Sequence, residues 1–340
     1  MSDWTRESLH PVRGLAIALL GAIALAGGSS SAAFAQDASP AASPEAAAPC
    51  DAPGLPPGTP TAMEEMASPD ASEAIASPVV EGGAEATPVA PEGTPVDDQA
   101  VIDEVTAAVE NIFNCFNNED YVATASLFTS NYLVTEFEAS NPYDAVAQFE
   151  FFGALVNFTL KSVDNVQMLD DGRLLADVTY LNQNQPIAER WELVEEDGYW
   201  KLDADYELPD PGTELDSVSM GVQLGGPEGE YTFTLARDTL TAQPAIILHG
   251  LNAGAEAHEI AVLTLPEGAS VEDLFADGPP PAGLTFHGAI ELGPGEEGDL
   301  VLEGLEPGVY TLVCFFETPD GESHAALGMV AELTIEAPAA

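Results

Sequence analysis

The sequence predicts two folded units of different class, an α+β unit over residues 98–208 and an all-β Greek-key sandwich over 215–337, preceded by a stretch that cannot form a core. Three observations carry that reading. Residues 36–97 hold no aromatic side chain and are dominated by Ala, Pro, Ser, Thr, Gly and Glu. The next hundred residues place helically spaced apolar positions ahead of strand-like alternation. Beyond Leu215 almost every apolar segment is short and bounded by Gly or Pro, and eight such segments over about 120 residues favour a sandwich over a parallel sheet.

The first 35 residues have the pattern of a secretory signal. Arg6 and Arg13 precede the apolar run Leu15–Ala26, and Ala33 and Ala35 supply small residues for cleavage before Gln36. The run is shorter than the roughly 20 apolar residues a bilayer span needs. Leu25–Gly28 has the shape of a lipoprotein box but carries glycine where the lipidated cysteine would stand. A secreted or otherwise extracytoplasmic protein, on the periplasmic or cell-wall side, is expected; an uncleaved anchor is the alternative. Net charge is −51 from 58 acidic and 7 basic residues. Removing residues 1–35 takes two residues of each sign and leaves it unchanged. Such a surface disfavours nucleic acid and anionic lipid, suits a basic partner, and also serves simply to keep the protein dispersed. Residues 36–97 read as a disordered tether with a mean span on the order of 45 Å, stretched further by its prolines.

Within "VIDEVTAAVENIFNCFNNED", Val105, Val109, Ile112, Phe113 and Phe116 share one helical face. "YVATASLFTSNYL" reads as a second short helix and "YDAVAQFEFFGAL" as a third. "NFTLKSVDNVQML", "RLLADVTYLNQ", "AERWELVEEDG" and "YWKLDADYEL" read as strands, with Asp170–Gly172 and Glu196–Gly198 as hairpin turns. Helices followed by a meander that closes on "ERWELVEEDGYWKL" resemble the nuclear transport factor 2-like (SnoaL-like) family over roughly residues 99–207. That resemblance implies a cone-shaped α+β fold whose interior serves catalysis on small apolar molecules, ligand binding or homodimerisation. The segment contains no histidine. Asp144, Asp177 and Glu189 are its candidate carboxylates, and Tyr132 and Trp191 are either cavity-lining or core residues.

The sandwich strands are "LDSVSMGVQL", "EYTFTLA", "PAIILHGLNAG", "HEIAVLTL", "AGLTFHGAIEL", "GDLVLEGL", "GVYTLVCFF" and "ALGMVAELTIE"; Ser270–Gly278 is a helical turn with Ser270 as cap. "LNAGAEAHEIAV" sets a strand, an Asn-x-Gly turn and a histidine opening the next strand. "LEPGVYTLVCFF" ends a strand on a cysteine, and His324 and Met329 follow four residues apart. In that order these pieces resemble the cupredoxin family over roughly residues 216–337.

The resemblance implies one type 1-like copper ion held by His258, Cys314, His324 and Met329, used for one-electron transfer with a redox partner of basic surface. Two imidazoles and a thiolate with a weak thioether are the donor set of blue-copper centres. Ala325, Ala326 and Leu327 would form an apolar collar around an exposed His324 edge. One departure stands out: "FFETPDGES" puts nine residues between Cys314 and His324, where the family has few. Thr318–Gly321 is a turn sequence, so the insertion is expected to form a paired hairpin that returns the two ligands to each other. His249 and His287 match no ligand position and read as structural. If Cys314 stays free as a ligand, Cys50 and Cys115 remain to pair with each other. The alternative to a copper carrier is a metal-free binding or scaffold protein in which the α+β unit holds a small apolar ligand or dimerises. Catalysis is the weaker expectation, since the first unit lacks histidine and the second lacks histidines for further copper ions.

Overall fold

The computed structural model describes residues 50–55, 90–139, 141–275 and 280–338; the predicted signal segment and most of the predicted tether lie outside them. Helix α1 (Gln99–Asn117) begins where Asp98 caps it, its side chain accepting from the Ala100 N–H. The face read from the sequence is buried: Val105, Val109, Ile112, Phe113 and Phe116, joined by Cys115. Helices α2 (Tyr121–Ser126), α3 (Ser130–Phe137) and α4 (Pro142–Phe152) follow.

The second predicted helix is thus two. The Thr129 and Leu202 N–H groups donate to Leu202 and Leu127 carbonyls at 2.9 and 3.0 Å, so a bridge to a later strand interrupts the helical ladder. Thr129 then caps α3 through the Tyr132 N–H and donates its hydroxyl to Asp203 at 2.6 Å. Strands β1 (Thr94–Pro95), β2 (Phe158–Met168), β3 (Leu174–Asn182), β4 (Gln185–Glu196) and β5 (Tyr199–Glu207) pair in sequential order as one antiparallel sheet. Asp197 and Gly198 turn β4 into β5 with φ of 56° and 81°, as a two-residue hairpin of this twist requires. Phe113, Phe158, Tyr180 and Trp191 pack ring against ring between α1 and the sheet.

Two pieces of the predicted tether are ordered against this unit. Cys50 is disulfide-bonded to Cys115 across 65 residues. Beside it, Asp51 exchanges hydrogen bonds with the Asn111 side chain and accepts from the Tyr199 hydroxyl at 3.1 Å. Residues 94–95 add the edge strand β1, which low-complexity composition conceals.

The second unit is a two-sheet sandwich. Strands β6 (Ser217–Leu224), β7 (Phe233–Leu235), β9 (Ala245–Asn252) and β12 (Glu297–Glu303) form one sheet in the order β12-β9-β6-β7. The other sheet, in the order β11-β10-β13-β14-β8, contains β8 (Thr239–Thr241), β10 (His258–Thr264), β11 (Thr285–Leu292), β13 (Gly308–Val313) and β14 (Val330–Glu336). β6 runs parallel to β9 and β8 parallel to β14; the other pairings are antiparallel. The three-residue β8 was not foreseen, being too short to show alternation. Met220, Val222, Ile246, Leu248 and Leu300 meet Ile260, Val262, Leu312 and Leu333 between the sheets. A 3-10 turn at Val271–Phe275 follows Ser270 as expected.

The two units are packed together. One apolar cluster runs from the α+β core to Ala261, Leu263, Phe286, Ala289 and Val313, which explains why β10 is buried on both faces from His258 to Leu263. Several polar pairs cross the seam. Gln185 both accepts from and donates to the Ala289 backbone at 2.9 and 3.0 Å. Lys161 donates to Glu303 at 2.8 Å. His287 lies between Asn184 Oδ1 at 2.6 Å and Thr264 Oγ1 at 2.8 Å, the structural role expected of it. Because the amide oxygen can only accept, Nδ1 carries the proton and Nε2 accepts from the threonine. His249 pairs with Asp299 at 2.6 Å, both exposed.

Candidate metal centre

Three segments build the site. Cys314 directly follows β13, a strand held on both sides by β10 and β14. His258 opens β10 after a turn organised by Asn252, which is buried. The Asn252 side chain donates to the carbonyls of Glu256 and Leu292 at 2.8 Å and accepts from the Gly254 N–H at 2.9 Å. Gly254 is required there because a Cβ would lie 2.6 Å from Glu230 Oε1 and 2.8 Å from His258 Nε2.

The long insertion forms the third segment, and it is a hairpin. Glu317 bridges Ser323 in antiparallel fashion, and the Thr318 N–H donates to Glu322 O at 2.9 Å. Gly321 makes the turn at φ 81°, its N–H reaching Thr318 O at 2.8 Å. At the base, the His324 N–H donates to Phe316 O at 2.8 Å, which sets His324 beside Cys314. The nine residues between Cys314 and His324 therefore project as paired legs.

At the base of those legs His258, Cys314 and His324 each present one donor atom, all within 4.8 Å of one another. The two Nδ1 atoms are 3.1 Å apart, and Cys314 Sγ is 3.4 Å from His324 Nδ1. All three residues are at most 1% exposed. The Glu259 N–H points at Cys314 Sγ from 3.4 Å, and the Glu259 carboxylate accepts from the Phe315 N–H at 2.6 Å. One residue thus grips the cysteine segment with both its backbone and its side chain.

Carboxylates stand behind both rings. His258 Nε2 is 3.2 Å from Glu230 Oε1, and a carboxylate only accepts, so Nε2 carries the proton and Nδ1 turns a bare lone pair inward. His324 Nε2 lies 3.3 Å from Glu256 Oε2 but out of line for a hydrogen bond, leaving this buried nitrogen without a partner. Burial pulls both imidazoles below their ordinary range; for His258, Glu230 opposes the shift, and for His324, His258 adds to it. Burial, followed by the Glu259 charge, pushes the Cys314 thiol up to about 12 in the absence of a cation. Without a cation, the 3.1 Å Nδ1–Nδ1 and 3.4 Å Sγ–Nδ1 contacts are hydrogen-bond distances at which shared protons join the three groups; a bound cation would take the place of those protons and be held by all three donor atoms. The donor set, two imidazoles and a thiol, fits a soft or borderline transition metal such as copper.

Met329 is fully buried in the apolar cluster that contains Cys314. Its N–H donates to His324 O at 2.9 Å and its carbonyl accepts from the Cys314 N–H at 3.3 Å, so its backbone is tied to two of the three donors. The collar differs from expectation. Ala325 is buried while Ala326 and Leu327 are exposed, but the His324 edge is covered by Tyr231, whose ring centroid lies 4.8 Å away. Glu230, Tyr231, Glu256 and Glu259 were invisible in the sequence. Three are acids among 58, and only Glu259 carried a signal, a charge inside an otherwise apolar strand.

The carboxylates singled out in the α+β unit do not form a comparable centre. Asp177 is clamped by Arg190 at 2.6 and 3.0 Å, and Asp144 accepts from Asn141 at the start of α4. Glu189 accepts from Trp191 Nε1 at 2.9 Å, and Tyr132 donates to Asp205 at 2.8 Å. Burial and then the nearby Asp205 charge raise the Glu189 carboxyl to about 8, against the lowering effect of the Trp191 hydrogen bond. Among the described residues, no helix is long and apolar enough to cross a membrane.

No family model and no curated protein matches the chain. Among solved structures, reduced auracyanin from Roseiflexus castenholzii is 21% identical with a TM-score of 0.25, covering 35% of this chain and 95% of its own. Auracyanin A from Chloroflexus aurantiacus, described as a "blue" copper protein, is 19% identical with a TM-score of 0.27, covering 36% of this chain and 100% of its own. Rusticyanin from Thiobacillus ferrooxidans is 14% identical with a TM-score of 0.25, covering 35% of this chain and 77% of its own. At these values the likenesses assign this chain neither a family nor an activity.

Proposed function

We propose that the chain is an exported copper protein whose sandwich holds one type 1-like copper ion on His258, Cys314 and His324, with Met329 as the weak fourth donor, for one-electron transfer. The observation that supports this most is the convergence of two imidazole nitrogens and a thiol sulfur on one buried point across a paired hairpin. A bound copper ion supplies the Cu(II)/Cu(I) couple. The protein's contribution is positional. Cys314 is fixed at a strand end by Glu259. His258 is oriented by Glu230, and His324 is held by the hairpin base. Rigid donors of mixed softness suit both oxidation states and limit rearrangement between them. The low-dielectric surroundings exclude water, and the acidic surface favours a redox partner of opposite charge. The α+β unit is read as a nuclear transport factor 2-like scaffold, on the strength of its element order and its closing Trp-bearing hairpin.

Adding Cu(II) to the mature protein tests the proposal. A strong visible band at one copper per chain, absent in Cys314→Ser, is expected. A colourless mixture that retains no copper after dialysis would overturn it and leave the metal-free scaffold reading.

A further inference from the structure

The outer side of the site is built by a third loop that the ligand pattern does not include. Residues 225–230 lead from β6 towards β7. Gly225, at φ 61°, brings this loop so close to the His258 turn that a Cβ on it would lie 2.8 Å from the Gly254 Cα. From this loop Glu230 reaches across and places a single oxygen, Oε1, at the centre of three donors. The Ala255 and Glu256 N–H groups donate to it at 2.6 and 2.8 Å, and His258 Nε2 stands 3.2 Å away. Glu256, whose N–H is one of those donors, carries its own carboxylate to 3.3 Å from His324 Nε2. The same carboxylate lies 3.4 Å from the hydroxyl of Tyr231, the ring of which covers His324. Each imidazole thus has a sulfur-facing nitrogen and a carboxylate-facing nitrogen, and one carboxylate anchors the backbone of the other.

We propose that Glu230 and Glu256 are a coupled pair of positioning residues: Glu230 sets the tautomer of His258, and the two carboxylates together bias the site towards the more highly charged oxidation state of its metal. The proposal rests on the copper reading above. Its physical basis is general. A carboxylate accepting from the outer imidazole N–H fixes the inner nitrogen as a free donor and raises its basicity, and loss of such an outer partner typically lowers metal affinity about 10- to 100-fold. Two negative charges behind the ligands interact more strongly with Cu(II) than with Cu(I), so their removal weakens Cu(II) binding more. Glu230 has the larger effect, being the less exposed and the better aligned of the two.

The test uses the mature full chain with Glu230→Gln, Glu256→Gln, the double glutamine variant and Glu230→Ala. Glutamine keeps an oxygen for the Ala255 and Glu256 N–H groups while removing the charge. Three quantities are read: Cu(II) and Cu(I) affinities, reduction potential, and the imidazole nitrogen-15 signature of the metal-free protein. Glu230→Gln is expected to lower Cu(II) affinity by about 10-fold or more and Cu(I) affinity by less. Every tenfold change in the ratio raises the potential by about 59 mV for a one-electron couple. Glu256→Gln shifts it in the same direction by less. In the metal-free protein His258 should be the Nε2–H tautomer in the wild type and in Glu230→Gln, whose retained oxygen still accepts from it, and a mixture in Glu230→Ala, where no acceptor remains. An unchanged potential in Glu230→Gln together with an unchanged tautomer in Glu230→Ala overturns the proposal and leaves Glu230 as a loop anchor, detectable as a fall in unfolding midpoint alone. Failure of the wild type to bind copper overturns the functional reading instead, and the metal-free tautomer then decides the role of Glu230 by itself.

Discussion

In the α+β unit, buried Glu189 and half-buried Asp205 face Trp191 and Tyr132; in the sandwich, buried His258 and His324 face Cys314 and each other. Both clusters take ionisable groups out of water, and the difference lies in what they meet there. Glu189 and Asp205 each receive a neutral donor, Trp191 Nε1–H and Tyr132 O–H, so acceptor meets donor at both carboxyls. In the sandwich Glu230 takes the His258 N–H, so His258 turns its Nδ1 lone pair inward to within 3.1 Å of His324 Nδ1, and Cys314 Sγ stands 3.4 Å from that second nitrogen. A buried group without a complementary partner costs on the order of 1–3 kcal/mol, more when charged. A cation is the partner that satisfies three such atoms at once. Buried polarity by itself therefore does not mark a metal site; the direction in which the lone pairs point does.

The contrast is most sharply broken at Cys314. Cys314→Ser should abolish the intense visible band and weaken copper retention by more than the about 100-fold expected for losing an outer-shell partner, with the α+β unit unaffected. A copper-loaded, coloured serine variant would mean that the sulfur is not a ligand. The next largest effect belongs to the other unit. Replacing Cys50 and Cys115 together by serine should lower its stability by roughly 4 kcal/mol in the chain-entropy model for a 65-residue loop. Denaturant unfolding checks this, and the copper band should persist at denaturant concentrations that leave the sandwich folded.

Glu189 supplies a pH test of the carboxyl cluster. Its carboxyl titrates near 4.5 when unfolded and at about 8 when folded. Between those values the unfolded chain releases a proton that the native state keeps, so stability falls as pH rises, by up to about 1.4 kcal/mol per unit. Glu189→Gln should remove that slope. Equal pH dependence of wild type and variant in urea unfolding at pH 5 and pH 8 would show that Glu189 ionises freely in the native state. The smallest effect is expected at the hairpin tip. Gly321 has φ 81° with open space around it, so Gly321→Ala should cost roughly 1–2 kcal/mol through backbone strain alone and leave the visible band in place. Loss of the band would mean that the base of the hairpin does not hold its geometry independently of the tip.

The α1 face was legible because one wall of a helix repeats every 3.6 residues, and the sandwich strands because Gly and Pro bound them. The break between α2 and α3 was not legible, since the bridge between Phe128 and Leu202 spans more than seventy residues and leaves no periodic trace. Strands β1 and β8 are two and three residues long, too short for alternation. The proposed ligand positions His258, Cys314 and His324 could be placed on their segments because their order resembles a known pattern. Glu230 could not, because an acidic residue in an acidic chain becomes distinctive only through what it touches.

Chain order and residue chemistry determined which side chains could bind a soft metal, that an Asn-x-Gly turn would precede His258, and that Thr318–Gly321 would reverse the chain. Tertiary structure alone decided that the reversal brings His324 Nδ1 to 3.1 Å from His258 Nδ1, that Tyr231 closes the outer edge, and that a carboxylate from the 225–230 loop faces the His258 ring while one from the His258 turn faces the His324 ring. The reason is physical. Local preference acts over a few residues, whereas the direction of an imidazole lone pair is set by the group behind it, and here those groups arrive from loops that only packing brings together.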